Sequence, residues 1–148
     1  MRLTLVPPSD PSSYPFVHGI RPRFCETDAM GIIHHAAYLP YLEEARVAYL
    51  RHLGHPYDQV RAGGVDFAVL EVLVRYRLPV RFDEDLQVSL VVGDRTRTSF
   101  QMAYLLTVDG AVRASAVTVH GAVDARGRPR RLPEWVSTLD PGASPTAR

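Results

Sequence analysis

The hydrophobic rhythm of the chain changes once. Over residues 36–53 the apolar positions Tyr38, Leu42, Ala45, Tyr49 and Leu53 recur at steps of three and four, the spacing of one face of an α-helix. Leu39, Tyr41, Val47, Ala48 and Leu50 widen the stripe until only Glu43, Glu44, Arg46 and Arg51 mark a polar side. The pattern therefore predicts a helix buried over most of its circumference. Pro40 fits in its first turn, where a missing N–H costs little, and Gly54 followed by Pro56 supplies the stop. Before the helix, residues 19–25 read as an extended run. After it, residues 67–77, 85–92, 99–108 and 112–123 are rich in Val, Leu, Phe and Tyr with partial alternation, which predicts four strands. Leu78-Pro79, Gly93-Asp94 and Asp109-Gly110 separate them, and the last is a strong two-residue hairpin signal. One strand, one long helix and four antiparallel strands make an α+β chain, most simply a sheet of about five strands wrapped around a central helix.

The ends are less regular. Residues 1–15 hold Pro7, Pro8, Pro11 and Pro15 and read as a flexible lead-in. Residues 136–148, with Pro141, Gly142 and Pro145, read as a disordered tail, leaving 16–135 as a single folded domain. A length of 148 residues suits one domain with a substantial core. The formal net charge of +1 argues against a polyanion-binding surface, so no nucleic acid is expected. All 17 basic residues are Arg, so any phosphate clamp must be built from guanidinium groups, which bind phosphate bidentately. One Cys allows no intramolecular disulfide, and no apolar run approaches the ~18 residues of a membrane span. The expectation is a cytoplasmic protein without a membrane span.

Candidate chemistry concentrates between the first strand and the helix. There Asp28 is followed by Gly31 and then by His34 and His35, just ahead of the amphipathic segment. A carboxylate set against free N–H groups at a helix start can serve acyl transfer: the acid attacks or activates water while the amides polarise a carbonyl. Taken singly, Asp28 is equally a turn former or a capping acid. His34 and His35 invite a metal reading, but His18, His52, His55, His120 and Cys25 fit no ligand spacing, so no metal is expected. Glu43 and Glu44 fall on the helix's polar side, with Glu44 a fallback acid. Ile32, Ile33, Tyr38, Phe67 and Val69 are candidates for an apolar pocket lining.

The run from Glu26 to Gly31, His35 seven residues after the acid, and the run from Tyr38 to Arg46 resemble the 4-hydroxybenzoyl-CoA thioesterase-like family of hotdog-fold acyl-CoA thioesterases. Weaker echoes follow in residues 74–80, 97–100 and 128–133. The resemblance implies that Asp28 is the catalytic carboxylate, that the backbone N–H at His35 holds the thioester oxygen, and that the His35 side chain assists. Gly31, Ile33, His34, Tyr38, Phe67 and Val69 would contact substrate, with Arg95 and Arg97 at the nucleotide; Arg126, Arg128, Arg130 and Arg131 are further candidates there. A phenol four residues before the acid, present in one branch, is replaced by Phe24. The implied substrate is a small-molecule acyl thioester; coenzyme A enters as part of it, and no separate cofactor is expected. The implied assembly is a homodimer, and beyond it a homotetramer built as a pair of dimers. Two other readings stand beside hydrolysis: a non-catalytic acyl-CoA-binding module, and an enoyl-thioester hydratase, whose Asp and His are five residues apart rather than the six and seven found here.

Overall fold

Asp109 and Gly110 make the tight turn their sequence predicts, with φ of 50° and 77°. They join β4 (Ser99–Val108) to β5 (Ala111–Val123), which pair antiparallel along their lengths. On the far side of β4 lies β3 (Leu86–Arg95), and β1 (Phe16–Ile20) lies outside β3. β2 (Asp66–Tyr76) pairs with β5 and forms the other edge, so the order is β1-β3-β4-β5-β2, antiparallel throughout. This computed structural model describes residues 3–139.

The long helix, α1 (Tyr38–His52), lies across one face of the sheet, with Pro40 in its first turn. Tyr38, Tyr41, Leu42, Ala45, Tyr49 and Leu50 are buried against inward residues of the sheet such as Leu90, Met102 and Tyr104. Burial is narrower than the apolar pattern implies: Leu39 is exposed, and Val47 and Ala48 are only half-buried. Two shorter helices, α2 (Tyr57–Ala62) and α3 (Glu134–Thr138), were not foreseen; at six and five residues they are too brief to show a helical period.

The opposite face of the sheet is covered by the chain's beginning. Leu5 and Tyr14 pack with Val91, Ala103, Leu105 and Val117, so β4 is buried at every position. The buried Gln101 amide fixes this layer: its Oε1 accepts from the N–H groups of Thr4 and Leu5 at 3.0 and 3.1 Å. The expected strand break at Gly93-Asp94 is absent, and β3 runs on to Arg95. Gly93 serves contact instead, since a Cβ there would stand 2.5 Å from a methyl of Leu5. Residues 136–138, expected in a disordered tail, belong to α3, with Val136 buried; residues 140–148 lie outside the described ones.

Candidate active site

The loop bearing Asp28 begins where β1 ends early. The extended run expected over 19–25 stops at Ile20, and Phe24–Glu26 form a 3-10 turn. Glu26 causes that turn. Its Oε1 accepts the Arg23 N–H at 2.7 Å and the Tyr41 hydroxyl at 2.8 Å, tying the loop to α1. Burial by itself would raise the Glu26 carboxyl, but these bonds and the Arg23 guanidinium outweigh it and hold the group below its ordinary value.

From this anchor the chain folds back on itself. Thr27 and Ile33 form an isolated antiparallel bridge, and the Asp28 N–H donates to the Ile32 carbonyl at 2.8 Å. The Gly31 N–H donates to the Asp28 carbonyl, and Gly31 has φ of 75°, a conformation that favours glycine there. The buried Ile33 pins the return limb through its N–H to the Val80 carbonyl, 2.8 Å. Asp28 is half-buried. Its Oδ1 accepts from the Met30 N–H at 2.8 Å and the Ile32 N–H at 3.4 Å; Oδ2 has no partner among the described residues. Among the described residues no Arg pairs with it.

His34 and His35 prove different in kind. The His34 N–H is committed to the Glu26 carbonyl at 2.8 Å, and its Nδ1 caps the following turn by accepting the Ala36 N–H at 3.0 Å. The His34 amide is therefore not available as a donor to a ligand. The His35 N–H, which opens the 3-10 turn His35–Ala37 leading into α1, has no acceptor among the described residues. The two imidazoles stack with centroids 4.1 Å apart.

Asp28, Met30, Ile33, His35, Tyr38 and Tyr76 share an open groove of about 280 Å³. Tyr76 lies in the 74–80 echo of the family pattern, but the sequence reading gave it no site role. It comes from the end of β2, donates its hydroxyl to the His35 carbonyl at 2.9 Å and packs edge-on against Tyr38. Its role is not marked locally in the sequence, because its partner His35 is 41 residues away.

Phe67 and Val69 are not in this groove. They line a second, buried cavity of about 220 Å³ between α1 and the sheet, together with Glu43, Arg46, Phe100 and Trp135. Arg95 is engaged internally: its Nη1 donates to the carbonyls of Val136 and Leu139 at 2.7 and 2.5 Å, at the end of α3. Arg97 is exposed on the β3–β4 turn, where its carbonyl takes the Leu132 N–H. Glu44 pairs with His18 at 3.1 Å, and Phe24 points away as an exposed edge-on partner of Phe82.

Residues 22–138 match the model of the thioesterase-like superfamily. A protein of Aquifex aeolicus named as an esterase is 36% identical over 106 residues, spanning 72% of this chain and 83% of its own length. The acyl-CoA thioester hydrolase YbgC of Escherichia coli is 28% identical, spanning 79% and 89%. Among solved structures, a hypothetical protein from Aquifex aeolicus superposes with a TM-score of 0.81 at 34% identity, covering 85% of this chain and all of the other. A five-stranded antiparallel sheet curled on one long helix is the hotdog fold, and the chain belongs to the thioesterase-like superfamily.

Proposed function

We propose that this protein hydrolyses an acyl-CoA thioester, with Asp28 as the catalytic carboxylate and the His35 N–H as an oxyanion donor. One observation carries the reading: Asp28 and His35 line the same groove, and among the described residues one has a carboxylate oxygen without a partner and the other a backbone N–H without an acceptor. A thioester carbonyl laid there would place its oxygen toward the amide, where the helix start favours developing negative charge. Oδ2 of Asp28 then has two routes. It attacks the carbonyl carbon, expelling the thiolate and leaving a mixed anhydride that water hydrolyses, or it takes a proton from water that attacks. Both deliver a free acid and coenzyme A thiol. The name of the Escherichia coli relative, an acyl-CoA thioester hydrolase, supports the same substrate class. The His35 imidazole lines the groove and is the candidate proton donor to the departing thiolate.

The groove is open on one side, and the edge of the sheet suggests what covers it. β2 has eleven residues, and Val69, Leu70, Val72, Leu73 and Tyr76 are exposed along it, the kind of long apolar edge that pairs with another strand. Two copies joined by antiparallel β2 edges about a two-fold near mid-strand would set the Tyr76 end of one against the Asp66 end of the other. Each Asp28 groove would then adjoin the partner's buried cavity. A dimer, and a pair of dimers beyond it, is the assembly we propose. Among the described residues no helix is long and apolar enough to cross a membrane, and the exposed, unpaired thiol of Cys25 suits the reducing cytoplasm we infer.

Thiol release from acetyl-, octanoyl- and benzoyl-CoA tests the reading. Asp28→Asn preserves the acceptor for the Met30 and Ile32 amides, so the loop keeps its shape while turnover falls about a thousandfold. Unchanged turnover in that variant would sink the assignment. A single turnover in ¹⁸O-water separates the routes: label in the Asp28 side chain marks the anhydride.

A further inference from the structure

We propose that the buried cavity between α1 and the sheet receives the acyl chain, and that α3 is the wall that sets its length, through Trp135 and Leu139, selecting linear acyl groups of about eight carbons. The proposal rests on the thioester reading above and adds the substrate class.

The cavity is a defined space. Protein interiors are packed with few voids larger than a water molecule, yet here about 220 Å³ is empty between helix and sheet. An apolar void of about 150 Å³ already takes up benzene. Its walls are Leu50, Phe67, Val92, Phe100 and Met102, all buried and apolar. Its mouth lies at Glu43, Val47 and Val69, beside the β2 edge where the partner's Asp28 groove would stand. α1 rises 1.5 Å per residue, so Glu43 at the mouth and Leu50 within are about 10 Å apart along the axis, the reach of roughly eight carbons.

Trp135, Val136 and Leu139 line the cavity from the α3 side. A five-residue helix has no stability of its own, so something must hold it in place. Arg95 does, by donating to the Val136 and Leu139 carbonyls, groups that a helix end otherwise leaves without donors. Trp135 is fixed from its outer side by the His55 ring, stacked at 4.0 Å with 7° between planes. The segment leading into α3 is pinned as well: the Arg130 N–H donates to the Ala122 carbonyl and the Leu132 N–H to the Arg97 carbonyl. A wall tied at three points can fix a chain length.

Trp135 is the only tryptophan in the chain, so its emission reports occupancy of the cavity whether or not turnover occurs. S-Octyl-CoA, a thioether that cannot be hydrolysed, should shift that emission saturably, whereas S-ethyl-CoA should not. In thiol release, kcat/KM should be at least tenfold higher for octanoyl-CoA than for acetyl- or dodecanoyl-CoA. Trp135→Ala should move the optimum toward dodecanoyl-CoA. Val92→Trp, which fills the void from the sheet side, should move it toward acetyl-CoA. Leu139→Ala opens the same wall and replaces Trp135→Ala if that variant does not fold. Hydrolysis equal at all three lengths, or an optimum that neither kind of variant moves, overturns the proposal and leaves thioester hydrolysis standing. A saturable emission shift without thiol release from any substrate keeps the acyl cavity and overturns the hydrolase reading.

Discussion

Glu26 and His120 show how differently two polar groups are kept inside this protein. Glu26 is surrounded by donors and stays charged, so its folded-state pKa is depressed. Its contribution to stability is full above the unfolded carboxylate range and is lost as pH falls through the folded value. His120 has no such company. It is fully buried on the inner face of β5, stacked on Phe100, with Nε2 on the Thr118 hydroxyl at 2.7 Å and Nδ1 without a partner among the described residues. Burial, reinforced by the nearby positive charge of Arg46, pushes its pKa down from 6.5 to about 3. The sign follows directly: below pH 6.5 the unfolded chain takes up a proton that folded His120 refuses. Stability should therefore fall by about 1.4 kcal/mol per pH unit from this residue alone between roughly pH 6 and 4, in a window above the one where Glu26 and Glu84 lose their contributions. Urea unfolding at stepped pH should show that slope in the wild type and a shallower one in His120→Leu. Equal slopes would mean the buried imidazole is not the titrating group.

At the scale of elements, the sequence was most legible where one period runs long enough to repeat. α1 shows its 3.6-residue stripe over four turns, and β4 and β5 flank a turn whose two residues both take positive φ. The proposed site residues Asp28 and His35 stand out in the sequence because an acid, a glycine and two histidines fall in the ten residues before Tyr38 opens α1, although β1 ends earlier than its pattern implies, at Ile20. What escaped depends on contacts across the fold. α2 and α3 are single turns held from outside, Gly93 looked like a break because its neighbour Leu5 is 88 residues away in sequence, and Tyr76 reaches His35 only because β2 ends beside α1. The incomplete burial of α1 has the same origin. Val47 and Ala48 are apolar yet half-exposed on a protomer whose β2 edge is also apolar and open. Both are explained if that side meets a second copy. Val72→Arg should test this, because a two-fold near mid-strand brings the two introduced charges close together. Light scattering should give four times the 16.5 kDa chain mass for a wild-type pair of dimers, or twice for the β2-paired dimer alone, and half that mass for the variant, with unchanged far-ultraviolet circular dichroism. A variant whose mass does not fall would place the interface elsewhere.

For the whole molecule, the separation of two cavities within one protomer constrains how catalysis is organised. The groove holding Asp28 and His35 is shallow and open, while the deeper and largely apolar cavity lies farther along α1 and shares no lining residue with it. One protomer thus carries the Asp28 carboxylate without a deep acyl site beside it, and an acyl-sized cavity, with Glu43 among its lining residues, that Asp28 does not reach. Antiparallel pairing of β2 edges resolves this by setting each groove against the other copy's void, so each working site needs two chains. That arrangement can be tested by complementation. Asp28→Asn removes the carboxylate and keeps the void; Val92→Trp fills the void and keeps the carboxylate. Each should be nearly inactive on octanoyl-CoA when purified alone. Unfolded and refolded together in equal amounts, half of the dimers should be mixed, and each mixed dimer should hold one intact site and one doubly damaged site. About a quarter of wild-type activity should return, and it should be lost again when Val72→Arg is added to both chains. If groove and void served one another within a single chain, mixing would restore nothing, because every chain in the mixture would still carry a defect.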